Sequence, residues 1–321
     1  MRFSELSVQE QIDSLKPVAH LALSQYGINP SELENINHEY NSMFAVTSAA
    51  GIRYALRINI NSGRTVSNIA GETFFIDALA KSGGFRVALP IANSSGELVT
   101  TLYHEASDRD LYCVLFSWLE GEDLGDEPRV EQVFEVGKLM AQLHNVTAGL
   151  ELPAGAELPI FDDFMWHVED LLQGSSSQLS VEEQKSIASG RAAIEKVISE
   201  LYASDKKQLI HADLHGWNLK WHDNCLSVFD FDDCGIGVPV QDLATAIYYL
   251  DTEEQEVALK QGYASVRSLP DFKDYQMKAL LLQRRIHLLN YLYETDNPEH
   301  RELLPKYKEE TLRRVREFLG N

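Results

Sequence analysis

The stretch from Leu209 to Gly235, LIHADLHGWNLKWHDNCLSVFDFDDCG, packs three histidines, two asparagines and five aspartates between short apolar runs. Two chemistries fit residues of these types at this spacing. His211, Asp213 and His215 stand at i, i+2 and i+4, so on a strand they would face one side and could open a metal-hydrolase site. Zinc takes three or four ligands, mostly His or Cys, and at least one would have to come from elsewhere. The other histidines (His20, His38, His104, His144, His167, His222, His287 and His300) are scattered singly. Phosphoryl transfer uses more of the stretch. It needs a carboxylate beside the accepting hydroxyl and oxygen ligands for the Mg2+ that neutralises the nucleotide phosphates. Asp213 suits the first task, Asn218 and Asp230 the second. A carboxylate inside an apolar strand such as SVFDF is costly unless it is paired or bound to a cation, which favours Asp230 as a ligand.

These groups need elements to hold them. Residues 6–26 read as one amphipathic helix or two, ending before Gly27. From Ile36 to Ile60 the short β-type runs INHEY, SMFAVTS and IRYALRINI are separated by turns, as in a three-stranded meander. A helix follows at Val66–Lys81 and stops at Gly83–Gly84, and two more strands are expected at Leu98–His104 and Leu111–Trp118. Leu119–Glu135, with seven acidic residues and one Arg, reads as a surface connector. Helices then dominate: Val130–Val146, Asp162–Gln173, Val181–Tyr202, Val240–Leu250, Glu253–Ala264, Phe272–Tyr293 and Pro305–Phe318, with GSSSQ at Gly174–Gln178 as a loop. Only KQLIHADL, LKWHD and LSVFDFDD read as strands in this part. The expectation is an α+β chain of two lobes. An antiparallel-sheet lobe with a helical extension spans 1–118, and a mostly helical lobe spans 119–321.

Composition narrows the partners. With 321 residues, 44% hydrophobic and 9% aromatic, the chain is globular rather than disordered. Its 49 acidic residues against 28 basic ones give a formal charge of −21. Phosphate backbones and anionic membranes need a basic footprint, so neither nucleic acid nor a membrane is an expected partner. A cationic substrate is compatible with this balance. Three cysteines, Cys113, Cys225 and Cys234, without CxxC spacing give no disulfide framework, and a reducing cytoplasm is the expected setting. Charges interrupt the apolar positions of the first residues, unlike a signal peptide, and no uncharged apolar run approaches a membrane span. A monomer or a homodimer is equally compatible with the sequence.

HADLHGWN followed by VFDFDD and QDLA resembles the aminoglycoside phosphotransferase/choline kinase-like family, which includes type II homoserine kinases and hydroxylysine kinases. The family pattern is His-Gly-Asp-Leu-His-x-x-Asn, then apolar-apolar-Asp-Phe, then Asp-Leu-Ala; here Ala212 replaces the usual glycine. The resemblance extends from about Ile36 to Leu250 and implies a bilobal protein-kinase-like fold using ATP and Mg2+. It implies Asp213 at the accepting hydroxyl, Asn218 and Asp230 on the metal, and His211, His215 and Asp242 as supports of the loop. A kinase-like lobe also needs a strand-borne cation for the phosphates, held by a helical glutamate. Lys16 and Lys81 are not on strands. Arg57 is, and Glu72 follows on the helix, so this pair resembles the family's ion pair. The turn Tyr40-Asn41-Ser42 would cover the phosphates, since neither GxGxxG nor GxxxxGK[ST] occurs. Phe116, Ser117, Trp118 and Leu119 would line the adenine site.

The resemblance places the acceptor on the helical lobe, near Asp162, Asp163, Trp166, Tyr248, Tyr249, Arg284, Arg285 and Tyr291. Aromatic rings with carboxylates suit an amine-bearing alcohol, and Arg284 or Arg285 could grip a carboxylate, as in a hydroxy amino acid such as homoserine. Amino alcohols and aminoglycosides fit the same description. A protein serine/threonine kinase of the bacterial stress-response type and a non-catalytic nucleotide-binding relative remain as alternatives. Asp213→Ala is expected to abolish phosphoryl transfer while ATP-Mg binding persists, and Asp230→Ala to abolish Mg2+-dependent nucleotide binding. Turnover assays and nucleotide titrations check both; near-normal turnover in the first variant would sink the assignment.

Overall fold

The computed structural model describes residues 3–166, 168–295 and 297–320; His167 lies outside them. In chain order the elements begin with α1 (Val8–Gln25), β1 (Pro30–His38), β2 (Asn41–Ser48), β3 (Arg53–Asn59) and α2 (Val66–Ser82). Next come β4 (Arg86–Val87), β5 (Pro90–Ile91), β6 (Thr100–His104), β7 (Arg109–Ser117), β8 (Glu122–Asp123) and α3 (Val130–Thr147). Then follow α4 (Val181–Ser204), β9 (Gln208–Ile210), β10 (Leu219–His222), β11 (Cys225–Val228) and β12 (Gly235–Gly237). Four helices close the chain: α5 (Pro239–Tyr248), α6 (Glu253–Ala264), α7 (Asp274–Glu294) and α8 (Pro298–Leu319). These form two compact units. One comprises Met1–Glu122, Glu151–Leu158 and Lys220–Asp232; the other comprises Asp123–Leu150, Pro159–Leu219 and Asp233–Asn321.

The first unit is built on an antiparallel sheet in the order β1-β2-β3-β7-β5, with β6 also on β7. Strand alternation sorts its residues by face. Phe44, Val46, Leu56, Ile58, Leu111, Cys113 and Leu115 share one buried face with α1 residues Leu15, Val18, Ala19, Ala22 and Leu23. Arg57, next to Leu56 and Ile58 on β3, therefore points to the other face. Helix α1 is a single helix with Pro17 inside it, opened by a Ser7–Glu10 capping box. Helix α2 opens on Thr65 and ends at Gly83, whose φ of +77° suits glycine. Phe75 of α2 meets Phe231 edge-on at 5.2 Å.

The second unit is mostly helical. Helices α3 and α6 cross where Gly137 faces the carbonyl of Leu259 and Gly262 faces that of Phe134. A Cβ would stand 2.0 Å and 1.9 Å from those oxygens, so only glycine lets the backbones approach. Helix α5 is buried from Pro239 to Ile247. Helix α7 packs on α4, α5 and α8.

Two expected helices depart from the sequence reading. The described residues of Asp162–Gln173 form no helix. Asp163 Oδ1 accepts from Met165 N, Asp170 Oδ1 from Leu172 N and Asn290 Oδ1 from Leu171 N, so side chains replace the helical ladder. Helix α8 begins at Pro298, a favoured first-turn position, and continues through Pro305. Among the described residues no helix is long and apolar enough to cross a membrane.

Candidate active site

In the helical unit the site is assembled on one buried carboxylate. Asp242, in the first turn of α5, is fully buried. Its Oδ2 accepts from His211 N at 3.1 Å and its Oδ1 from Ala212 N at 2.6 Å. Its Oδ2 also lies 2.9 Å from His144 Nε2, and His144 Nδ1 lies 2.8 Å from the Tyr263 hydroxyl. These bonds tie β9, α3, α5 and α6 to the loop that leaves β9 at Ile210. Ala212 turns that loop with φ +66°. The left-handed region costs a residue with a Cβ about 1–2 kcal/mol, which is the physical reason for a glycine at this position in the pattern. The turn also ends strand alternation, so His211 is fully buried and the one-sided array of His211, Asp213 and His215 does not form.

Beyond the turn, both oxygens of Asp213 are occupied. Oδ1 accepts from Arg284 Nη2; Oδ2 lies 3.1 Å from Asn218 Nδ2 and 3.3 Å from His215 Nε2. Asn218 Nδ2 also donates to the Asp213 carbonyl at 2.8 Å. Arg284 Nη2 reaches the Tyr249 hydroxyl at 2.6 Å, and the Tyr249 ring stacks on His215 at 4.5 Å. Burial alone would raise the Asp213 carboxyl, but Arg284, with help from His215 and His211, holds it well below the usual carboxylate range. Asp213 is therefore ionised at neutral pH. The loop is braced again at Gly216, where a Cβ would stand 1.9 Å from Gly125 O. Trp217, mostly exposed, donates its indole N–H to Asp126 Oδ1 at 2.8 Å.

In the sheet unit, Arg57 and Glu72 form a buried two-pronged pair at 2.8 and 2.5 Å. Removing one partner would strand the other's charge at a cost of about 3–5 kcal/mol. Burial pushes the Glu72 carboxyl up against the pull of Arg57. Asp232 Oδ1 lies 3.6 Å from Arg57 Nη1, and its Oδ2 accepts from Asn41 Nδ2 at 3.0 Å. Strand β11 ends at Val228, so Asp230 is not in an apolar strand. It is exposed, two residues past the strand end, with φ +58°.

The other expected residues are distributed unevenly. Ser42 is fully buried on the α1-facing side of β2, bonded to Asn35 and His38, because alternation places it with Phe44 and Val46. The Tyr40 carbonyl accepts from Asn61 N at 2.8 Å and Ser62 N at 3.0 Å, folding the β1–β2 turn onto the end of β3. Trp118 and Leu119 line a cavity of about 380 Å³ with Ala80, Phe85, Val87 and Ser227. Phe116 instead lies under Arg57, 5.3 Å from its guanidinium, and Ser117 pairs with Leu89 through both its N–H and its hydroxyl. Arg285 stacks on Tyr307 at 4.1 Å and approaches Tyr248, so it is committed to the packing of α5, α7 and α8. Tyr291 meets His300 at 2.7 Å. Asp162 is exposed, while Trp166 packs between Phe161 at 4.5 Å and His287 at 5.0 Å. Several residues of these networks are not marked by the sequence reading: Asp232 follows Asp230 in the same acidic run, a usable signal, while His144, Tyr263 and His287 stand alone in the sequence and offer none.

This is the α+β protein-kinase-like fold, and residues 32–276 match the model of the phosphotransferase enzyme family, to which the chain belongs. Membership makes it a small-molecule phosphotransferase, one that moves phosphate from ATP to a hydroxyl. The chain is similar to the amicoumacin kinase of Bacillus subtilis (strain 168), with 25% identity over 285 residues, 79% of this chain and 80% of the relative. Among solved structures it superimposes on an amicoumacin kinase in complex with AMP-PNP, Ca2+ and Ami. That likeness has a TM-score of 0.79 at 19% identity, over 95% of this chain and 96% of the other. A microcompartment-associated aminopropanol kinase matches with the same TM-score, 22% identity, and 95% and 97% coverage.

The site carries a titratable signature apart from Asp213. Burial pushes His287 down from 6.5 to about 4, although its Nε2–H donates to the Phe164 carbonyl at 2.6 Å. The unfolded chain protonates this ring below its ordinary value and the folded chain only near 4. Its contribution is thus complete above 6.5 and lost as pH falls toward 4. Folding stability is expected to drop by about 3 kcal/mol across that window. Denaturant titrations should find the slope reduced in His287→Gln; an unchanged slope would refute the assignment.

Proposed function

We propose that the chain transfers the γ-phosphoryl group of ATP, with Mg2+, to a hydroxyl of a small amine-bearing metabolite. The observation that carries this reading is the fixed Asp213 carboxylate, ionised and held by Arg284, Asn218 and His215. Such a carboxylate orients the accepting hydroxyl through a hydrogen bond. Because it is a weak base, it takes the proton late, as a loose transition state with little need of early deprotonation allows. In this reading residues 1–118 serve the nucleotide and 119–321 the chemistry and the acceptor. Arg57, aimed by Glu72, meets phosphate oxygens; the backbone of Tyr40 and Asn41 covers them, and the chain from Phe116 to Leu119 lies along the adenine.

Asn218 and Asp230 each carry an oxygen suited to a hard cation. The Asn218 amide turns its Nδ2 toward Asp213 and so keeps Oδ1 as the oxygen for a ligand, while Asp230 offers an exposed carboxylate. A divalent cation, when bound, neutralises the phosphate charge. His211, His215 and Asp242 hold the loop. The amine in the acceptor is supported by the surplus of carboxylates over cations and by the exposed aromatic ring of Trp217. Relatives named for amicoumacin and aminopropanol agree with this class. Three free thiols suit a cytoplasmic setting.

The test is an ATP-consumption screen over amino alcohols, aminoglycosides, sugars and serine-containing peptides. Turnover is expected with amine-bearing alcohols and should vanish in Asp213→Ala. A preference for peptides would replace the acceptor reading with a protein-kinase one, and activity confined to neutral sugars would remove the amine.

A further inference from the structure

Two nitrogens near the Asp213 loop are buried and without a hydrogen-bond partner: Nε of Arg284, whose guanidinium pairs with Asp213, and the indole Nε1 of Trp166, which packs against Phe161, Ile210 and Ala212. A buried N–H left unmade is expensive, so native structures seldom keep one without a use. Both flank one side chain. Trp166 meets the His287 ring at 5.0 Å, and Arg284 precedes His287 by one helical turn on the same face of α7. Trp166 also has φ +53°, unusual for a bulky residue, and such strain persists where the surroundings fix it for a purpose. The segment is fastened to α7 by Gln283 Nε2 and His287 Nε2, both donating to the Phe164 carbonyl.

We propose that Trp166 and Arg284 form an acceptor subsite for a neutral hydrogen-bond-accepting oxygen, such as a second hydroxyl or an amide carbonyl, adjacent to the hydroxyl that is phosphorylated. This rests on the reading above, that the acceptor is an amine-bearing alcohol bound at Asp213. Charge decides against a carboxylate in this place. Asp213 and Asp233 act on Arg284, and Asp163 acts on the neighbouring His287. Arg191, which also feels Asp163, is bonded to Asp170 and Glu195. Arg284 already balances Asp213, so a further anion would meet an excess of negative charge, whereas a neutral oxygen satisfies the two donors at no such cost. The same excess favours an ammonium group on the acceptor.

Four acceptors isolate the effect. All share a carbinol carbon carrying the hydroxyl and an aminomethyl group, and they differ only in its remaining substituent: methyl, hydroxymethyl, carboxamide or carboxylate. Initial rates of ADP release give kcat/KM for each. The hydroxymethyl and carboxamide compounds are expected to exceed the methyl compound about ten-fold, the worth of one well-made hydrogen bond to a buried donor, and the carboxylate to fall below it. Trp166→Phe keeps the ring and removes the N–H, so the ratio of carboxamide to methyl should shrink about ten-fold. Equal losses for all four in that variant would mean a structural role and overturn the proposal, as would the carboxylate being preferred. Transfer that occurs with flat ratios defeats the subsite alone. Absence of transfer to every compound defeats the acceptor reading beneath it.

Discussion

A carboxylate with no access to water must have its charge balanced and its lone pairs filled, and Asp242 imposes that requirement on the helical unit. Its oxygens take two successive backbone N–H groups and a histidine, which come from a loop and from α3. Losing any of these partners would leave a charge stranded in a low-dielectric interior, so the arrangement has one good solution and poor alternatives. The loop after β9 is thus fixed by burial rather than by its own propensity. Ala212 adopts a conformation it would not choose, because both neighbouring N–H groups must reach the same side chain.

Asp213 inherits its geometry from that anchor. Three residues downstream of the turn supply the rest: His215 and Asn218 from the loop itself and Arg284 from α7. The result is a carboxylate that is ionised, oriented and weakly basic. Phosphoryl transfer asks mainly for positioning and charge, and little for proton abstraction. Among the described non-glycine residues with positive φ, Ala212 is held in that conformation by buried packing, whereas Asp108, Asp223 and Asn224 lie in surface turns that favour it.

Much of this was legible in the residues. The helices Val66–Ser82, Val130–Thr147 and Glu253–Ala264 follow from apolar periodicity and capping residues, and the meander follows from alternation broken by turns. Arg57 and Glu72 could be paired because phosphate binding needs a cation on a strand and Glu72 is the one glutamate of the helix that follows. Asp162–Gln173 misled because its apolar spacing looks helical while Asp163, Asp170 and Asn290 capture the backbone N–H groups. The apolar run SVFDF reads as strand through Asp230, but β11 stops two residues before it. Ser42 looked available in a turn, although its register assigns it to the inner face of β2.

The sequence by itself determined the chemistry available: which carboxylates, amides and cations exist, at what spacing, and in which kind of element. Local rules suffice for that, since capping, periodicity and motif spacing act within a few residues. Tertiary structure alone decided the partners. That Arg284 closes on Asp213, that His144 and Tyr263 back Asp242, and that Trp166 packs against His287 are contacts between residues far apart in the chain. Burial and packing set them, and no short-range pattern encodes them.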